Sequence, residues 1–274
     1  LMKVNTVGDS IWLKTYGGLQ DDDGNDLVQC YDGGFMIIGT GITLATGFSA
    51  MYAVRTNING DSLWAKTYEK EWANGGITLL QTSDSGFIFG GYTATGGGGT
   101  FDIYIVRTNS VGDTLWTKTY GGTSYDVAAY ICETTDGNYI IVGTTSSFGS
   151  GGGDIYTIKI DTSGSVIWEN TYGGIANDYG AYCAATSFGS VIVGRTESIG
   201  NGGSDAYMIA IDHNGDTIWT HVYGGLNDDW VNCIRKTYDG GYIMSGYTDS
   251  FTGNMNVYLI KTRADGYAGI NESL

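Results

Sequence analysis

The residues with the chemistry to act on a ligand are two series of carboxylates that recur along the chain. Asp22, Asn74, Asp126, Asp178 and Asp229 each stand six residues past a repeated tyrosine, and Asp102, Asp154, Asp205 and Asn256 each stand two residues before another. Carboxylates gathered from several segments serve three chemistries: they bind a hard cation such as Ca²⁺, they form the acid and base of a glycosidase, or they accept hydrogen bonds within turns. No DxDxDG loop is present, and the densest local cluster, Asp21-Asp22-Asp23-Gly24, occurs once. A glycosidase site draws different acids from different segments and so breaks a repeat, whereas these acids follow it. The acids outside the series, Glu69, Glu71, Glu133, Glu169 and Glu197, make no evident pair. His213 and His221 lack companions for a metal site or a nucleophile. Cys30, Cys132, Cys183 and Cys233 show no ligand spacing and read as buried thiols. The sequence therefore predicts no catalytic residues and no required cofactor, with Ca²⁺ on the acidic series as the open exception.

The elements that must position these residues repeat. Trp12, Trp64, Trp116, Trp168 and Trp219 are spaced by 52, 52, 52 and 51 residues, inside words such as GDSIWLKTYGG, GDTLWTKTYGG and GDTIWTHVYGG. Each unit also carries a turn and an apolar run (DGGFMIIG, DGNYIIVG, DGGYIMSG) and a third word (MYAVRTNING, IYTIKIDTSG, VYLIKTRADG). In the third unit these predict strand a at 127–134, b at 139–144, c at 155–160 and d at 166–171, with period-two alternation along c and d. A four-stranded unit of about 50 residues is a propeller blade. The expected architecture is all-β: a five-bladed β-propeller over 1–266, with 267–274 as a tail or the start of a linker. Ser10–Thr15 supplies a strand d before any strand a, so the closing blade is expected to be shared by the two ends of the chain. Leu1–Asn5 duplicates strand c, which points to further repeats in a longer natural chain.

The repeat resembles the tryptophan-docking propellers of the PQQ-like superfamily, whose Asp, turn Gly and Trp fall at Asp161, Gly164 and Trp168, and again at Asp212, Gly215 and Trp219. It is still more similar to the repeats of secreted, Bacteroidetes-type bacterial surface proteins, through DGGYIMSGYT, VYLIKT and GDTLWTKTYGG. That resemblance implies the propeller fold and a secreted or cell-surface location, and leaves activity open.

Composition bounds the partners. The chain has 46 glycines, 21 tyrosines, no proline and a formal net charge of −16, so phosphate backbones are repelled and nucleic acid is excluded as an expected partner. No apolar run approaches the roughly 20 residues of a membrane helix. Alternation of strand direction places the d–a and b–c loops on one face, where the repeats differ most. Trp72 and Trp230, the tryptophans outside the series, and the nearby Tyr125 and Tyr179 are assigned to d–a loops, where aromatics beside Asp22, Asp126, Asp178 and Asp229 offer stacking and hydrogen bonds to a glycan or a surface protein. The expectation is a non-enzymatic binding or adhesion module, with a structural spacer as the alternative and a glycosidase-like enzyme less favoured.

Overall fold

The structure is a computed structural model that describes residues 1–43, 47–70, 72–95, 100–251 and 253–269. Glu71, the glycine run 96–99 and residues 270–274 of the expected tail lie outside them. Two compact units are present, Leu1–Gly121 and Gly122–Leu274.

In the first unit, β1 (Met2–Val4) and β2 (Ser10–Leu13) form a two-stranded sheet. β3 (Asp22–Gln29), β4 (Phe35–Ile42), β5 (Ser49–Thr56) and β6 (Ser62–Tyr68) form a four-stranded sheet, as do β7 (Asn74–Gln81), β8 (Phe87–Thr95), β9 (Thr100–Thr108) and β10 (Thr114–Tyr120). The second unit holds two more four-stranded sheets, β11 (Asp126–Glu133), β12 (Tyr139–Thr145), β13 (Asp154–Ile160), β14 (Val166–Tyr172), and β15 (Asp178–Thr186), β16 (Gly189–Thr196), β17 (Asp205–Asp212), β18 (Thr217–Tyr223). It ends in a three-stranded sheet, β19 (Asp229–Lys236), β20 (Tyr242–Thr248) and β21 (Asn256–Thr262). Every pairing is antiparallel between sequence neighbours, the a-b-c-d order expected of each repeat.

Strand d at Ser10–Thr15 finds a partner within the first unit: β2 pairs with β1, the duplicate strand c, with Met2 opposite Leu13. Asn5 Oδ1 accepts the N–H groups of Val7 and Asp9 and closes the connecting turn.

Period-two alternation builds the core between sheets. In the second unit, Ile192, Tyr207, Ile209 and Ile211 turn one way and pack with Ile140, Val142 and Ile155. Their strand neighbours Val191, Val193, Met208 and Ala210 turn the other way and pack with Val231, Ile234 and Met244. The middle sheet is thus apolar on both faces, and burying one such Ile contributes about 1.5–3 kcal/mol.

Within each unit, successive sheets are joined by a repeated clamp. The strand-d tryptophan of one sheet lies over the c–d turn glycine of the next, and the strand-d tyrosine donates its hydroxyl to that glycine's carbonyl. Tyr16 bonds Gly60 O at 2.7 Å and Tyr68 bonds Gly112 O at 2.8 Å; Tyr172 bonds Gly215 O at 2.7 Å, and Tyr223 bonds Gly266 O. The glycine is obligatory twice over. Gly112 has φ +79°, and a Cβ there would lie 2.7 Å from Cη2 of Trp64.

The basic series Arg55, Arg107, Lys159 and Lys261 pairs with the aspartates of the a–b turns. The distances are 2.5 Å to Asp32, 2.7 Å to Asp84, 2.7 Å to Asp136 and 2.8 Å to Asp239. Arg55, Arg107 and Lys159 are buried rather than solvated. Where the series breaks at Ala210, the turn reads Ser187-Phe188 and holds no aspartate, so both partners are replaced together.

Each strand a carries a bulge near its start. The register slips between Ala128 and Tyr130, between Gly180 and Tyr182, and between Val231 and Cys233. The bulged backbone crowds strand b, and a Cβ on Gly143 would overlap the carbonyl oxygen of Val127, with Ala128 Cα 3.0 Å away. Backbone atoms cannot turn aside as a side chain can. Gly143→Ala should therefore cost about 3 kcal/mol or more, whereas Gly240→Ala, with φ +84° and open space around its Cβ, should cost only about 1–2 kcal/mol. Urea denaturation of the two variants checks the difference.

Candidate functional site

The acidic series at the start of strand a ties loops together. Asp178 Oδ2 accepts Gly174 N–H at 2.8 Å and the Ser198 hydroxyl at 2.7 Å, joining the d–a loop to the b–c loop. Asp126 does the same with Gly122 (2.8 Å) and Ser147 (2.6 Å), and Asp229 with Gly225 (2.8 Å) and Ser250 (2.5 Å). All three are buried. Asp22 takes Gly18 N–H at 2.7 Å and lines a hollow of about 230 Å³ in the first unit. These carboxylates were candidates for ligand or Ca²⁺ contact. In the structure they are acceptors for the loops' own N–H and O–H groups.

The second acidic series meets the first between neighbouring sheets. A Cβ on Gly173 would lie 2.6 Å from Asp154 Oδ1 and on top of Asp178 Oδ2, and Gly224 stands likewise between Asp205 and Asp229. Burial pushes the Asp154 carboxyl above the usual range; Ser150 N–H opposes this and the charge of Asp178 adds to it. Asp205 is raised for the same reasons, by burial and then Asp229, against Asn201 N–H. Turn aspartates move the other way: the Thr82 hydroxyl, then Arg107 and Gly86 N–H, outweigh desolvation and hold Asp84 at about 2.

The aromatic candidates divide. Tyr179 and Trp230 are not in d–a loops: each is the second residue of its strand a, because that strand begins at the loop-tying aspartate. Tyr179 faces Arg195 across the β15–β16 pair, and Trp230 faces Tyr247 across β19–β20. The Arg195 guanidinium lies 4.0 Å from the Tyr179 ring centroid and 3.2 Å from that of Trp230, and Tyr247 leans against Trp230 at 4.7 Å with the rings tilted by 44°. Beside this cluster is a cavity of about 310 Å³, lined by Tyr179, Arg195, Trp230 and the three bulge residues Ala129, Ala181 and Asn232. Bulges re-aim side chains, and here three of them converge on one hollow. Buried Nε and Nη1 of Arg195 and Nε1 of Trp230 have no hydrogen-bond partner among the described residues. An unpaired buried N–H costs about 1–3 kcal/mol, more when charged.

Arg195 was not singled out from sequence. Its signal was there: the residue after the strand-b glycine is Thr40, Tyr92, Thr144, Arg195 and Tyr247 in the successive repeats.

Trp72 and Tyr125 do lie in d–a loops. Trp72, 39% exposed, packs edge-on against Phe48 at 5.5 Å in the first unit, and Tyr125 is exposed, with its carbonyl held by Ser146 N–H. His213 and His221 each meet a backbone carbonyl, of Ser187 at 3.2 Å and of Asp265 at 2.9 Å. Among the unique acids, Glu169 accepts the Tyr156 hydroxyl at 2.5 Å and Glu197 accepts Asn177 at 2.9 Å. Cys132 and Cys183, on neighbouring sheets, bring their sulfurs to 2.7 Å. Among the described residues no three His, Cys, Asp or Glu side chains group to hold a metal.

No protein-family model matches the sequence, and no curated protein matches it. Among solved structures, the chain is similar to the Neurospora crassa Pan2 WD40 domain at 11% identity and a TM-score of 0.59, over 90% of this chain and 65% of that one. It thus spans just under two thirds of that domain's chain. It is also similar to the Pyrococcus horikoshii acylaminoacyl peptidase (12% identity, TM-score 0.49, 91% of this chain and 39% of that one) and to the GH43 endo-arabinanase from Bacillus licheniformis (11%, 0.42, 94% and 99%). At such identities likeness shows fold alone, and the WD40 match shows it to be that of a β-propeller, with the four-stranded sheets as its blades.

The two classes of aspartate predict opposite pH limbs. Asp154 and Asp205 bind a proton more tightly folded than unfolded, so the stability they contribute falls as pH rises from about 3.9 through their raised values. Asp84, held low, contributes stability above about 3.9 that is lost as pH falls toward about 2. Replacing both buried acids (Asp154→Asn, Asp205→Asn) should flatten the decline in Tm above about pH 4 and leave the acid limb unchanged. Thermal melts across pH check this, and an unaltered upper limb contradicts it.

Proposed function

We propose that the chain is a five-bladed propeller serving as a non-enzymatic binding module of a secreted or cell-surface protein, with the loop-bearing ends of its a strands engaging a glycan or a surface protein. Four four-stranded sheets count as four blades, and the five tryptophan-centred repeats of the sequence supply the count of five. The observation that carries the binding reading is the departure from the repeat at one spot. The second residue of strand a is Asp23, Gly75 and Val127 in three repeats, and Tyr179 and Trp230 in the other two, where Arg195 and a cavity of about 310 Å³ accompany them. The tryptophan, tyrosine and glycine of the clamp keep to the repeat; these depart from it together. Aromatic rings beside unpaired N–H donors in a concave site are recognition chemistry, and a rigid blade array holds them in place.

The secreted location rests on the likeness of the repeat words to those of bacterial surface proteins. The spacer alternative draws on the regularity of the inter-sheet clamp, which would serve a purely mechanical unit equally well.

A glycan array and a panel of surface proteins, probed with the whole chain, separate the two. Trp230→Ala should weaken any captured ligand at least 10-fold, while Trp72→Ala, in the other unit, should leave affinity within about 2-fold, the scale of less than 1 kcal/mol. Absence of any ligand, with a native circular dichroism spectrum and Tm, favours the spacer.

A further inference from the structure

We infer that the cavity beside Arg195 takes the carboxylate of an acidic sugar, a uronic acid unit of a glycan. The inference rests on the binding reading above and adds the charge of the ligand to it.

The chain carries 13 Lys and Arg against 29 Asp and Glu. In such a chain an arginine is expected to find a carboxylate, and Arg55 and Arg107 do so through bidentate contacts to turn aspartates. Arg195 forms no ion pair among the described residues. Its guanidinium instead lies over the Tyr179 and Trp230 rings, and its Nε and Nη1 are buried with no acceptor among the described residues. A guanidinium that lines a cavity without a carboxylate of its own is suited to one brought by a ligand. One positive charge with no lysine among the cavity's lining residues suits a monovalent group better than a dianionic phosphate.

The rest of the lining suits a sugar. Residues of three successive a strands border an open hollow of about 310 Å³. The Tyr179 ring offers apolar surface to C–H groups, and exposed Asn232 offers hydrogen bonds to hydroxyls. The surrounding negative charge of the molecule keeps unattached anions dilute, so affinity must come from the sugar and the carboxylate together.

The test is calorimetric titration of the whole chain with tri-galacturonate, its C6 amide, neutral galactotriose and an acidic hexapeptide. The expected result is binding of tri-galacturonate, at least 10-fold weaker binding of the amide and of galactotriose, and no competition by the peptide. Arg195→Gln should lose at least 10-fold for tri-galacturonate alone, and Arg195→Lys, which keeps the charge and loses the fork, should recover only part of it. Should Arg195→Gln fail to fold, the comparison of acid with amide on the wild-type chain decides by itself. Equal binding of acid, amide and neutral trisaccharide overturns the inference and leaves the binding module standing. Binding of the peptide in place of the uronate overturns the sugar assignment and again leaves the module standing. If no saccharide and no peptide binds while the array and panel are also blank, both readings fall.

Discussion

The contact on which the rest of the structure depends is the seat of one sheet's tryptophan and tyrosine on the turn glycine of the next. It asks three things of a single backbone position: a positive φ, no Cβ, and a carbonyl aimed at a phenol. Gly112 and Gly266 meet all three, and the Asx turn that precedes the glycine, as with Asn109 Oδ1 accepting the N–H groups of Val111 and Asp113, aims the carbonyl. Because the clamp uses backbone and ring rather than interlocking side chains, it tolerates different cores beneath it. The sheets of the second unit meet through isoleucine and valine, whereas those of the first meet through methionine and phenylalanine.

Polar burial adds a second layer of specification. Asp126, Asp178 and Asp229, at the heads of their a strands, are buried, and Oδ2 of each is spent on a loop N–H and a loop hydroxyl rather than on an exposed charge partner. Leaving such a carboxylate without those donors would cost several kcal/mol. Two long loops therefore move as one body with the strand behind them. Tyr179 and Trp230, each immediately after such an aspartate, inherit that rigidity, and a stacked guanidinium needs it.

Most of the fold was legible from the sequence. The third repeat's strands were expected at 127–134, 139–144, 155–160 and 166–171 and are found at 126–133, 139–145, 154–160 and 166–172. Turn words and period-two alternation are local signals, so they survive in a single sequence. What escaped depends on pairing and on bulges. The hairpin of β1 with β2 was missed because a duplicated strand c has two possible partners and sequence does not rank them. Tyr179 and Trp230 were placed in loops because the aspartate before them reads as turn chemistry, although it opens the strand. Arg195 passed unnoticed because a basic residue on a strand usually reads as a solvated face; only comparison of the same position in five repeats sets it apart.

The buried cations of strand c carry a lesson about how such repeats exchange parts. Lys159 is held by Asp136, from the hairpin turn that precedes strand b, and where the cation gives way to Ala210 the turn aspartate is gone as well. The two halves lie on opposite sides of strand b. A crossover between two repeats that falls within strand b would join a buried lysine to a turn with no acid, whereas one that falls in the d–a loop carries both halves together. The natural unit of shuffling is therefore the stretch from one strand-d tyrosine to the next, and chimaeras cut just after that tyrosine keep each such cation with its aspartate.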